Sequence, residues 1–174
     1  MHVLTSSIFL PTLAAHVSPT SQSALLRGHF SLTLAYWVSR GRPALPIEAF
    51  FARITAVPTA PGPKPQPSND ALGQEKDHDN PWLTITQSVL HHPDEHLVKT
   101  IRALQHYARI YGGRPEGSFK DTGLKGADRL DGTLFVRVAG NAMNAIGWVR
   151  EGESSGVYDR AGLGWDEVWR WDDE

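Results

Sequence analysis

A chain of 174 residues without a single cysteine has room for one core of ordinary size, but no disulfide framework and no thiolate to serve as nucleophile or metal ligand. Seventeen Lys and Arg against 19 Asp and Glu leave a formal charge of -2, so there is no basic footprint for nucleic acid. Hydrophobic residues make up 40%, and nowhere do the ~20 consecutive apolar residues of a membrane span occur, so the expectation is a cytoplasmic protein.

Residues 3–17 are apolar, but no Lys or Arg precedes them and Pro11 interrupts them, which predicts a helical or extended segment packed on a core rather than a secretory leader. A helix is predicted over residues 22–39, capped by Thr20 or Ser21 after Pro19, with Leu25, Leu26, Phe30, Leu34 and Val38 at helical spacing. Arg40-Gly41-Arg42-Pro43 closes it, Gly41 suiting a left-handed cap. A short helix follows over 47–54. From 57 to 81 the chain alternates prolines (Pro58, Pro61, Pro63, Pro65, Pro67) and then charges, which predicts an exposed loop within a single domain.

Residues 82–90 read as another short helix, and Pro93 suits the first position of a new one, with Asp94 and Glu95 in its first turn. Leu97, Ile101, Leu104, Ala108 and Tyr111 form the core stripe of that long helix, which Gly112-Gly113 ends. Residues 117–126 are loop. Asp131 is placed to cap a further helix to about Trp148, burying Leu134, Phe135, Val138, Ala142 and Ile146. Residues 151–164 are irregular and 165–171 suit a last turn or two. No segment alternates like a strand, so the fold class is all-α: an irregular helical domain with long amphipathic helices and a Pro-rich loop.

Chemistry concentrates in His91-His92-Pro93-Asp94-Glu95-His96-Leu97-Val98-Lys99. Imidazole is the commonest metal-binding side chain. At about 100° per residue, His96, Lys99, Ala103, His106 and Ile110 fall within a sector of roughly 80° beside the core stripe, and His92 extends the line. A rise of ~1.5 Å per residue sets His96 and Lys99 about one turn apart, while His92 and His106 are separated by about 20 Å. One metal therefore reaches His96 and Lys99, with His92 at the edge of its range, but not His106. A lysine ligates only as a neutral amine, or as the carbamate such an amine forms with carbon dioxide. The same residues also suit a reading without metal. In that reading His92 caps the helix, Glu95 and Lys99 pair on its surface, and His96 is a satisfied core residue.

Several blocks, in order, carry a resemblance. Residues 88–104 (Ser-Val-Leu-His-His-Pro-Asp-Glu-His-Leu-Val-Lys-Thr-Ile-Arg-Ala-Leu) resemble the signature block of the questin oxidase-like family, the group that includes fungal AflY-type oxidoreductases. Leu130-Asp131-Gly132-Thr133-Leu134-Phe135-Val136-Arg137 resembles the next block, and Gly162-Leu163-Gly164-Trp165-Asp166 the C-terminal ending. Leu25-Leu26-Arg27 and Arg40-Gly41-Arg42-Pro43-Ala44-Leu45 match an upstream helix and its cap.

The resemblance implies a helical oxidoreductase that oxidises or cleaves polyketide aromatics of the anthraquinone type with oxygen. At a further remove it implies a non-haem iron, held by histidines and a carbamylated lysine, for which His92, His96 and Lys99 are the matching positions. NADPH is a second implied cofactor, supplied without a Gly-x-Gly-x2-Gly motif in this chain. Family members are about twice as long, so the chain resembles a C-terminal half, and a missing N-terminal half or partner chain joins the aromatic substrate as an expected partner. The competing expectation is a catalytically incomplete helical fragment or module that assembles with such a partner.

Overall fold

The computed structural model describes residues 1–62, 80–150 and 152–158. Among them there are helices and turns but no strand, as the all-α expectation requires. In chain order the helices are α1 (His2–Ser7), α2 (Leu10–Ala14), α3 (Pro19–Ser39), α4 (Ile47–Arg53), α5 (Pro81–His91), α6 (Glu95–Tyr111) and α7 (Leu134–Ile146). The last turns expected over 165–171, and most of the Pro-rich loop, lie outside the described residues.

The core forms where α5, α6 and α7 meet. Ile85 and Val89 of α5, Leu97, Ile101 and Leu104 of α6, and Val136, Ala139, Met143 and Ile146 of α7 make one cluster, with Ile85, Leu97 and Met143 fully buried. Of the stripe predicted for α6, Leu97, Ile101 and Leu104 are buried and Ala108 and Tyr111 are half-buried. Removing an aliphatic side chain of this size from water stabilises a fold by about 1.5–3 kcal/mol, so this three-helix seam is the part of the molecule best able to hold a site rigidly.

Two backbone contacts fix how the helices approach. Gly132 N–H donates to Arg114 O at 2.8 Å, and a Cβ on Gly132 would stand 2.1 Å from Gly112 O. The turn after α6 and the turn before α7 therefore touch main chain to main chain, which only glycine permits. Gly140 likewise lies under Pro58, whose Cβ a side chain would meet at 2.4 Å, so Pro58 is buried although it opens the Pro-rich stretch.

Helix starts differ from expectation by one to three residues. Ser18, not Thr20 or Ser21, caps α3: its side chain accepts from Ser21 N–H at 3.3 Å, and Pro19, having no N–H to leave unpaired, begins the helix. Asp94 caps α6 and leaves Pro93 outside it, because the aspartate side chain satisfies a first-turn amide that proline cannot. Asp131 Oδ1 accepts from Thr133 N–H at 2.7 Å, but α7 itself begins at Leu134 and ends at Ile146, short of Trp148.

No residue of α3 is buried. Of its expected core stripe only Leu25 is half-buried, and Leu26, Phe30, Leu34 and Val38 are exposed. Its apolar residues run round the whole circumference, and among the described residues the short α1 and α2 pack along it. Arg137 bolts α4 to α7: its guanidinium donates to Phe51 O at 3.1 Å and to Ile54 O, its Nε to Thr133 Oγ1 at 2.8 Å, and it lies 4.8 Å over the Phe51 ring.

Candidate functional site

The site is built from the turn between α5 and α6. α5 ends at His91, His92 is its C-cap in extended conformation, and Asp94 starts α6. Asp94 Oδ1 accepts both the His96 backbone N–H, at 2.9 Å, and the His96 ring Nδ1–H, at 2.8 Å. One carboxylate oxygen thus caps the helix and orients the imidazole it carries two residues later. The other oxygen, Oδ2, accepts the backbone N–H of Tyr158 at 3.0 Å from a segment 64 residues away. The side chain of Asp94 is 2% exposed and that of His96 is 16% exposed.

This surrounding of donors determines the charge of Asp94. The Tyr158 amide is the largest influence, the His96 amide and ring add to it, and together they overcome burial to hold the carboxyl down to about 2. Burial pushes the Tyr158 hydroxyl in the opposite direction, upward from the usual phenol value, and the Asp94 charge adds to that rise. With Nδ1–H donated to Asp94, the neutral ring of His96 carries its lone pair on Nε2. This is the aspartate–histidine arrangement in which the carboxylate fixes tautomer and ring plane.

His92 is buried, and its Nδ1 accepts the Asp94 backbone N–H at 3.0 Å. An accepting Nδ1 places the ring proton on Nε2. Nε2 is enclosed without a hydrogen-bond partner. A metal at Nε2 would need the lone pair there, and the proton on Nδ1 would then face the Asp94 N–H. Lys99 is elsewhere: its side chain is 53% exposed and its amine pairs with Glu95 at 3.2 Å, the i,i+4 surface pair of the metal-free reading. Among the described residues no group of three His, Asp or Glu is placed to hold a metal ion. As arranged, His92, His96 and Lys99 therefore do not fit a shared centre, and His96 is the one of the three whose ring is held by a buried carboxylate.

A model of the questin oxidase-like family matches residues 1–104. The chain belongs to the questin oxidase-like family. No curated protein and no solved structure matches it. The matched span of this family member ends inside α6 and contains His92, Asp94, His96 and Lys99. The resembling blocks at 130–137 and 162–166 lie beyond it.

Other histidines have local roles. His2 of α1 meets the His96 ring edge-on with centroids 6.1 Å apart, a neighbour that no sequence spacing marked. His29 pairs with Ser6 at 3.2 Å, His16 with Thr12 O at 2.8 Å, and His106 stands edge-on to Tyr107. His78 lies outside the described residues. Ser88 is a tie: its Oγ donates to Val149 O at 3.0 Å and accepts from Val149 N–H at 2.8 Å. An open hollow of about 450 Å³, lined by Trp82, Gln105, Ala108 and Arg109, shares no residue with the Asp94–His96 pair and begins more than two turns further along α6.

Proposed function

We propose that this questin oxidase-like protein takes part in the oxygen-dependent oxidation or ring cleavage of polyketide aromatics of the anthraquinone type, with His96 as the base that removes a phenolic proton. The observation that carries the reading is the Asp94–His96 pair, a buried carboxylate holding an imidazole at 2.8 Å within the matched part of the chain. The phenol O–H bond breaks, its proton passes to His96 Nε2, and the electron pair stays on oxygen as a phenolate, whose ring is the more easily oxidised form. Asp94 orients the imidazole and faces the imidazolium that results.

Oxygen is the oxidant in either outcome. Insertion of one atom sends the other to water and consumes two electrons from a nicotinamide-class reductant, whereas cleavage that retains both atoms consumes none. Oxygen uptake with a hydroxyanthraquinone, with and without NADPH, separates the two. Replacing His96 by Gln is expected to lower kcat by about 10²- to 10⁴-fold, the usual worth of a positioned base; uptake unchanged in His96→Gln removes His96 from the reaction. An iron-dependent version of this reading has His96 as its contact, with neither His92 nor Lys99 in the positions seen here.

The alternative, a helical module that is incomplete until it assembles with a partner, is favoured by a different observation. α3 presents Leu26, Phe30, Leu34, Trp37 and Val38 to solvent, an exposed apolar surface of the kind that marks interaction sites. It is supported if the purified chain shows no turnover and sediments as a complex.

A further inference from the structure

The chain after α7 turns back over the seam of α5 and α6 and is tied down at three points. Val149 is held on both sides of its peptide by Ser88 Oγ, Gly156 N–H donates to Ile146 O at 2.6 Å, and Tyr158 N–H donates to Asp94 Oδ2 at 3.0 Å. The Tyr158 ring packs partly buried against the core cluster. The third tie differs from the others because it ends on the group that orients His96.

A carboxylate anchored through one oxygen can still turn about the bond to its Cβ. Asp94 is anchored through both: Oδ1 by two donors of His96 and Oδ2 by the Tyr158 amide. The second anchor fixes the carboxylate plane, and through Oδ1 the plane fixes the direction in which the His96 Nδ1–H must lie. Were the amide withdrawn, Oδ2 would be a closed-in anionic oxygen with no donor, and the carboxylate would rotate to find one.

We propose that the Tyr158 backbone amide is a positioning group for the site, so that the segment from 152 to 158 must be seated before His96 is held in its working orientation. The inference deepens the assignment of His96 as the base and rests on it for its meaning in turnover. Its structural content is tested separately, by a spectroscopic signal that needs no substrate.

Because the acting group is main chain, side chain and amide are separable. Tyr158→Phe and Tyr158→Ala keep the N–H, whereas Tyr158→Pro deletes it. In imidazole-¹⁵N-labelled protein, His96 is expected to show one Nδ1–H tautomer with a downfield, hydrogen-bonded proton signal. That signal is expected to persist in Tyr158→Phe and to be lost or averaged between tautomers in Tyr158→Pro, while the Met143 methyl signal reports an unchanged core. Turnover in Tyr158→Pro is expected to fall about tenfold to a hundredfold, mostly in kcat, as for a misplaced catalytic group. An unchanged His96 signal in folded Tyr158→Pro overturns the proposal. If the proline variant does not fold, an amide-to-ester replacement at the 157–158 linkage removes the same N–H without a ring constraint, and an unchanged His96 signal there overturns it equally. A changed signal with oxygen uptake unaffected would instead count against His96 as the base.

Discussion

At the scale of single residues, the nine positions from His91 to Lys99 announce chemistry, but not which of them act together. The histidines, the lysine and their spacing are visible in the sequence. That Oδ1 of Asp94 would take both donors of His96 is not, because it depends on α6 starting one residue after the aspartate rather than at Pro93. A two-residue shift in the start, from Pro93 to Glu95, turns a carboxylate that favours the helix dipole into a cap and imidazole partner. His2 and Tyr158 were out of reach of any spacing argument, since tertiary folding alone brings them to the site. Protonation of Asp94 gives a test at this scale. Its folded value of about 2 lies below the ordinary carboxyl value of 3.8, so its contribution to stability is complete above the unfolded value and is lost as pH falls through the folded one. The stability difference between the native chain and Asp94→Asn should therefore shrink between about pH 5 and about pH 2 in urea titrations; a gap independent of pH would show that the charge contributes nothing. Lys99 gives another. As a surface partner of Glu95 it should be replaceable by Ala without altering any iron that co-purifies, whereas His96→Ala should remove it, and elemental analysis reads both outcomes.

At the scale of elements, helical periodicity was informative for α6 and uninformative for α3, for one reason. Leu97, Ile101 and Leu104 of α6 form a stripe packed with α5 and α7, although Val98 and Ile110 are exposed, while the apolar residues of α3 encircle the helix, and a ring of apolar residues names no preferred side. The hinge between α6 and α7 shows a subtler loss. Gly112-Gly113 reads as a helix stop, yet what requires glycine at 132 is the Gly112 carbonyl arriving from the other helix. Arg137 holds α4 through the carbonyls at its C-terminal end, a role with no signal in the sequence. Replacing it by Lys is expected to cost about 2 kcal/mol, since a point charge cannot reproduce a forked set of donors. A denaturant midpoint within error of the native value would show that this bolt is dispensable.

At the scale of the whole molecule, two regions differ in kind. The seam of α5, α6 and α7 has a tight interior, whereas α3 has none of its own, and no helix of the described residues is long and apolar enough to cross a membrane. Exposed aromatic and aliphatic side chains spread over 21 residues of α3 should make association depend on concentration. Sedimentation velocity across a dilution series should show this, and the double substitution Leu26→Ser and Phe30→Ser should weaken it; a monomer at every concentration would show that the surface is tolerated as it is.

The triple employment of Asp94 constrains how such a protein can change. Its two oxygens start a helix, aim an imidazole and anchor the returning tail. A sequence selected for thermal endurance and one selected for turnover would both keep this aspartate, for unrelated reasons. Tolerance to substitution at position 94 is therefore a poor guide to catalysis: a deep mutational scan scored on abundance would mark it as intolerant even in a variant whose His96 had already been lost.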